Sequence, residues 1–256
     1  MKNKIITAIA AFGLSLSAHA ASAETVRVGV AAEPYPPFTQ PDAAGNWTGW
    51  EIEFMQAACA EAKLDCVVTP VSWDGIIPAL TSNKIDAIVG SMSITEERMK
   101  TIDFSDKYYN TPSGIATAKG SGITPDAKGL TGKIIGVQVS TVHQKYVAEH
   151  FGDVAAEVKQ YQTQDEANQD LAAGRVDAIM ADSLALDAFV KSDTCCEVVG
   201  AVEDDVAILG AGVGVGLRKG DDELREKFNT AIAAIRENGT YDEFSKKYFD
   251  FNIYGK

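Results

Sequence analysis

Leu80-Thr-Ser-Asn-Lys-Ile-Asp-Ala-Ile88 returns, in the same pattern and with the same offsets, as Leu171-Ala-Ala-Gly-Arg-Val-Asp-Ala-Ile179. Each copy reads as a helix end, a turn and a buried strand: a leucine closes the apolar face, small or polar residues follow, then a β-branched apolar run begins. Gly136-Val137 likewise echoes Gly29-Val30, so two α/β units built on one plan account for the chain. Ser91 and Asp182 stand at the same offset beyond the aspartate of their own repeat, which makes them equivalent strand ends. Open α/β sheets take ligands at the carboxyl ends of their strands, so two such units facing each other bring Ser91 and Asp182 to one cleft. An aspartate in that place either caps the helix starting near Ser183 or offers its charge to a ligand cation.

Past the strand Ile85 to Val89, the chain from Gly90 to Tyr109 reads Gly-Ser-Met-Ser-Ile-Thr-Glu-Glu-Arg-Met-Lys-Thr-Ile-Asp-Phe-Ser-Asp-Lys-Tyr-Tyr. If the backbone stays extended, the Ser91 and Ser93 hydroxyls share a face. Thr95 followed by two glutamates marks a helix start. Arg98 in its first turn opposes the helix dipole, at a cost of roughly 0.3 to 1 kcal/mol unless something negative compensates. Either Glu96 or Glu97 does so at the surface, or the guanidinium is the fork of an anion site completed by serine hydroxyls and helix-start N–H groups.

Other stretches supply the remaining walls. Thr25 to Val30 is a strand, and the proline-rich run Ala31 to Phe38 holds Glu33 and Tyr35 beyond its end, where Tyr35 and Phe38 either pack or face the cleft. A helix runs from about Trp50 to Lys63 with Ile52, Phe54, Met55 and Ala58 on its apolar face. A strand spans Cys66 to Val71, and Trp73 after it reads as ordinary core. Lys133 to His143 is a strand leading into a helix, at whose start Ser140, Thr141 and the backbone near Val142 can meet an anion; His143 reads as a solvated helix residue, with a reach into the side-chain pocket as the alternative. The glycine-rich strand Gly210 to Lys219 is no dinucleotide fingerprint, because Leu217 takes the third glycine's place. Two helices close the chain, with Leu224, Phe228, Ile232 and Ile235 on one face and Thr240 to Glu243 reading as a capping box.

Lys2 and Lys4, the apolar run Ile5 to Leu16 and the small residues ending Ala21-Ser22-Ala23 have the layout of a secretory signal peptide, residues 1–23, cleaved after Ala23. The precursor carries 23 basic against 36 acidic residues, and loss of Lys2 and Lys4 leaves 21 against 36, a net charge of −15. Such a chain is a poor candidate for nucleic acid and weakly attracts cationic solutes. Export into an oxidising compartment favours pairing of the four cysteines, Cys59, Cys66, Cys195 and Cys196. A helix ending between Cys59 and Cys66 allows a fold-back that bridges them, whereas Cys195 and Cys196 either close a strained ring or stay apart. With only His143 and His150 beyond the leader and no ligand cluster at zinc-like spacing, neither a metal nor a cofactor is expected.

The pattern Ser91-x-Ser93-x-Thr95-x-x-Arg98, with Ile102-Asp-Phe-Ser-Asp-Lys-Tyr-Tyr109, resembles the periplasmic amino-acid-binding proteins of bacterial ABC importers over nearly the whole mature chain, nearest to the receptors for histidine and for lysine, arginine and ornithine. The resemblance implies the periplasmic binding protein type II fold: two α/β lobes, residues 24–110 with 212–256 and residues 111–211, joined by a two-segment hinge. It implies a monomer that binds a free amino acid and hands it to a membrane permease and its ATPase. Arg98, aided by Ser91 and Ser93, takes the ligand's α-carboxylate together with Thr141 and the backbone at Val142, and Asp182 takes the α-ammonium. Tyr35 and Trp73 sandwich the side chain, Cys59 and Cys66 pair, and Glu33 sits near a cationic group, two residues before Tyr35 where an acid three before is usual. A cationic L-amino acid is the expected ligand; a neutral polar amino acid or an opine is the alternative. A dehydratase on the same fold is the competing enzyme reading, against which no paired carboxylates announce catalysis.

Overall fold

The computed structural model describes residues 24–255, so the leader and its cleavage site lie outside the described residues. In chain order the first half holds β1 (Glu24–Ala31), the small pair β2 (Gln40–Pro41) and β3 (Trp47–Thr48), α1 (Trp50–Glu61), β4 (Leu64–Val71), α2 (Ile76–Thr81), β5 (Ala87–Ile88), α3 (Glu96–Met99) and β6 (Ile102–Tyr109). Next come β7 (Ser113–Ala118), β8 (Ile134–Gln138), α4 (Val142–His150), β9 (Glu157–Tyr161), α5 (Gln164–Ala172), β10 (Ala178–Asp182), α6 (Ser183–Ser192), β11 (Cys196–Ala201) and α7 (Val206–Leu209). The chain ends in β12 (Val213–Arg218), α8 (Asp222–Glu237) and α9 (Thr240–Ser245). Two five-stranded sheets result, in the orders β4-β1-β5-β12-β6 and β11-β7-β10-β8-β9. The chain leaves the first sheet after β6 and rejoins it at β12.

The repeat explains why the two lobes match. In both copies the turn residue takes a positive φ, 58° at Asn83 and 69° at Gly174, where the chain must reverse after its helix. Asp86 accepts the Arg27 N–H at 3.0 Å, and Asp177 accepts the Ile134 N–H at 2.8 Å. Each repeated aspartate therefore ties its turn to the strand that becomes its parallel neighbour, β1 in one sheet and β8 in the other. Asp86 also binds the Arg27 guanidinium through two bonds of 2.8 Å, and its carboxyl is pulled down to about 2. The strand expected over Ile85 to Val89 is confined to Ala87 and Ile88.

The first lobe's core is built around Trp50, fully buried, whose indole N–H donates to Ser245 Oγ at 2.9 Å and so pins the C-terminal helices to the sheet. Phe54 and Tyr108 stack on it and on each other, and Phe38 meets it edge-on. Thr240 is the first residue of α9 and makes no cap; Gly239, at φ 85°, precedes it, and the capping box expected there is absent. Among the described helices, a capping box forms instead at Thr163 and Glu166 of α5.

Cys59 of α1 and Cys66 of β4 are bonded, as are the neighbours Cys195 and Cys196. Closing so short a loop removes about 2 to 3 kcal/mol of unfolded-chain entropy on the loop-closure account. The double substitution of Cys59 and Cys66 to alanine is expected to lower stability by that order in urea unfolding; an unchanged midpoint would show that the bridge contributes nothing.

Candidate functional site

The carboxyl ends of strands from both sheets face one cavity of about 570 Å³, its open mouth included. From the first sheet come Glu33 and Tyr35 beyond β1, Trp73 beyond β4, and Ser91, Ser93 and Arg98 beyond β5. From the second come Gln138 at the end of β8, Thr141, Val142 and His143 at the start of α4, Gln164 at the start of α5, and Asp182 at the end of β10. All the singled-out ligand residues thus share one wall system. Gln138, Gln164 and Thr39 were not foreseen; the strand-end rule reaches Gln138 and, through β9, Gln164, while no local pattern marks Thr39.

Arg98 is held by its own helix start. Thr95 caps α3 by accepting the Arg98 N–H at 3.2 Å, and the guanidinium donates to the Ser93 carbonyl at 3.0 Å. It lies 5.6 Å from the centre of the Trp73 ring and reaches the Ser140 carbonyl of the other lobe at 3.4 Å. Glu97 pairs with Lys100 at 2.7 Å, and among the described residues no carboxylate lies within ion-pair distance of Arg98. The surface-neighbour explanation of this arginine therefore fails. Burial pulls the guanidinium down to about 10, partly offset by the charge of Asp182, so it stays cationic at neutral pH.

Asp182 takes the N-cap position of α6 but makes no side-chain cap bond. Its Oδ2 accepts from the Tyr35 hydroxyl at 2.8 Å, and its own N–H donates back to that oxygen at 3.3 Å. Burial and the neighbouring carboxylate raise the Tyr35 hydroxyl well above the ordinary range, which keeps it a donor. Oδ1 lies 3.7 Å from His143 Nε2, leaving lone pairs for a further donor. His143 is buried, with Nε2 3.0 Å from Ser113 Oγ, so the solvated helix residue expected here is a wall residue. Its imidazole turns inward between Ser113 and Asp182.

Two local expectations change. Ser91 has φ 54°, so the chain does not stay extended past β5, and its hydroxyl donates to Glu51 Oε2 at 3.2 Å. Thr141 caps α4, accepting the Gln144 N–H at 3.0 Å and donating to the Gln138 carbonyl at 2.7 Å. Its hydroxyl is therefore spent locally, and the helix-start backbone is what this corner offers an anion. Trp73 lies on the cavity wall with its indole N–H 3.2 Å from the Ser140 carbonyl. Glu33 Oε1 accepts the Trp73 N–H at 3.3 Å, while Oε2 is buried with no hydrogen-bond partner. Glu51, a fully buried carboxyl behind Ser91, was not foreseen: a glutamate in the first turn of a helix ordinarily reads as a solvated dipole partner.

Among the described residues no helix is long and apolar enough to cross a membrane, and no cluster of His, Cys, Asp and Glu is arranged to hold a metal ion. Residues 26–251 match the family described as bacterial extracellular solute-binding proteins, family 3. The chain is 41% identical to the L-arginine-binding protein of Pseudomonas aeruginosa over 99% of this chain and 98% of that one. It is 40% identical to the lysine/arginine/ornithine-binding periplasmic protein of Escherichia coli K12 over the whole of both. The solved structure of an ancestral arginine-binding protein bound to arginine superposes with a TM-score of 0.82 at 35% identity, over 89% of this chain and 99% of that one.

Proposed function

The chain belongs to the bacterial extracellular solute-binding proteins, family 3, and we propose that it is the extracytoplasmic receptor of an ABC importer that closes two lobes on one free cationic L-amino acid. The observation that carries this reading is Arg98 and Asp182, of opposite charge and from different lobes, on the wall of one cavity. A ligand shifts a closure equilibrium only through its differential affinity for the two states, and a zwitterion that bridges both lobes has that property. Arg98, Ser93 and the backbone at Thr141 and Val142 receive the α-carboxylate; Asp182 receives the α-ammonium, and Ser91, whose hydroxyl proton goes to Glu51 Oε2, turns its lone pairs to that same end. The ligand side chain runs between Tyr35 and Trp73. The unpartnered Glu33 Oε2 supports a cationic end group, since a buried carboxylate oxygen without a donor is costly until a cation supplies one.

Residues 24–110 with 212–256 form one moving lobe and 111–211 the other, turning about the two crossings at Tyr109 to Gly114 and at the glycine-rich segment that begins at Gly210. The mature protein works in the periplasm as a monomer, released from its leader, and delivers its ligand to a membrane permease powered by an ATPase. The names of its relatives, binding proteins for arginine and for lysine, arginine and ornithine, support a receptor over an enzyme.

A thermal-shift screen of the mature protein, unfolded and refolded to strip carried-over ligand, tests the reading against L- and D-amino acids, opines and prephenate. Ligand at about 100 times its dissociation constant adds about 2.7 kcal/mol, a rise of a few degrees for lobes of this size. Response confined to cationic L-amino acids is expected. Response to prephenate or an opine alone would overturn the ligand class.

A further inference from the structure

Ser91 stands on the cavity wall in the left-handed region, at φ 54°. That conformation costs a residue with a side chain roughly 1 to 2 kcal/mol and persists only where its surroundings hold it. Glu51, the second residue of α1, does the holding. The helix starts at Gly49, at φ 117°, where a Cβ would lie 2.2 Å from the Phe38 carbonyl oxygen, so only glycine admits the turn that buries Glu51. Glu51 Oε1 accepts both the Ser91 N–H, at 2.6 Å, and the Tyr108 hydroxyl, and Oε2 accepts the Ser91 hydroxyl. Glu51 itself is not part of the cavity wall.

A serine hydroxyl carries one proton. While Glu51 is ionised, that proton points back to Oε2, and Ser91 shows the cavity only lone pairs, which suit an ammonium. When Glu51 is protonated, Oε1 is already occupied by two donors, so the acid proton sits on Oε2 and donates to Ser91. The Ser91 proton then turns to the cavity, where it suits a carboxylate. We propose that Glu51 is a positioning residue that fixes Ser91 and sets the polarity of its hydroxyl, coupling amino-acid binding to the protonation of a carboxyl that never touches the ligand. This rests on the amino-acid reading above.

The groups facing Glu51 are few. Tyr108 and Tyr109 of β6 and Tyr35 beyond β1 are held protonated chiefly by burial, and the charge of Asp182 reaches it from the second lobe. Burial, helped by Asp182 and opposed by the Tyr108 and Ser91 hydrogen bonds, raises Glu51 to about 7. A bound ammonium at Asp182 favours the ionised carboxyl and lowers that value. Affinity for the amino acid therefore rises as pH climbs through about 7, and binding near or below that pH releases a proton. His143 is the other titratable wall residue of the second lobe, and it is unchanged in the variants below.

L-Arginine and L-lysine, whose side chains do not titrate in this range, serve as probes in calorimetry at pH 6 and 8. Wild-type affinity should rise about two- to fivefold between these pH values, the equivalent of a half- to one-unit fall in the carboxyl's pKa, with proton release visible across buffers of different ionisation enthalpy. Glu51→Gln should bind more weakly and lose this pH dependence. Tyr108→Phe, which removes one donor and keeps the carboxyl, should move the midpoint to higher pH, a change that a purely structural role would not produce, and it carries the test if the Gln variant does not fold. If neither probe binds the wild type, the cationic amino-acid reading falls and this inference with it. If a probe binds with the same affinity at both pH values, or Glu51→Gln keeps the wild-type profile, this inference alone falls.

Discussion

Arg98→Ala is expected to weaken amino-acid binding by about 2 to 5 kcal/mol, roughly thirtyfold to several thousandfold, because it leaves a buried ligand carboxylate with no opposite charge. The guanidinium is suited to this loss. Burial has already lowered it to about 10, so most of its desolvation is met before the ligand arrives. Its two protein acceptors are carbonyl oxygens, Ser93 and Ser140, and no carboxylate competes for it within ion-pair distance among the described residues. For the same reason the ligand-free protein should melt nearly unchanged, since no ion pair is broken. Arg98→Lys keeps the charge but not the fork, and should fall between. Calorimetry with arginine and with its decarboxylated analogue gives the decisive contrast: wild type should strongly prefer arginine, and Arg98→Ala should lose most of that preference. Near-normal affinity for arginine in the alanine variant would remove Arg98 from the site.

The architecture was legible because its signal is repeated. Leu80 to Ile88 and Leu171 to Ile179 carry a turn and an aspartate that ties it to the backbone of the neighbouring parallel strand in both lobes, so the sequence pattern and the hydrogen bonds of Asp86 and Asp177 say the same thing. From equivalent strand ends follow Ser91 and Asp182, and both reach one cavity. What was illegible depends on tertiary contacts that no repeat or local pattern announces. Glu51 reads as a surface helix acid until Tyr108 and Ser91 close over it. His143 reads as solvated until α4 turns that face inward. Thr240 has the residues of a cap, yet Gly239 supplies the turn and the hydroxyl is not needed. The Ser91 φ of 54° is set by tertiary hydrogen bonds and breaks the two-residue alternation on which the shared serine face rested.

Asp182→Asn should likewise cost about 2 to 5 kcal/mol of binding, and it separates charge from closure. The amide keeps an oxygen that can accept from Tyr35, so the contact between lobes, now 2.8 Å, can persist while the negative charge is gone. Tyr35→Phe does the reverse: the carboxylate stays and one hydrogen bond across the cleft is lost, worth about 0.5 to 1.5 kcal/mol. If Asp182 reads the α-ammonium, the asparagine variant should lose far more affinity than the phenylalanine variant and should stop discriminating against the deaminated analogue of arginine. If the two variants lose the same small amount, Asp182 merely latches the lobes. The two clamp residues should also couple. Each grips a different end of one zwitterion, so the loss in the Arg98→Ala, Asp182→Asn double variant should fall short of the sum, because a ligand already released from one lobe has less to lose at the other.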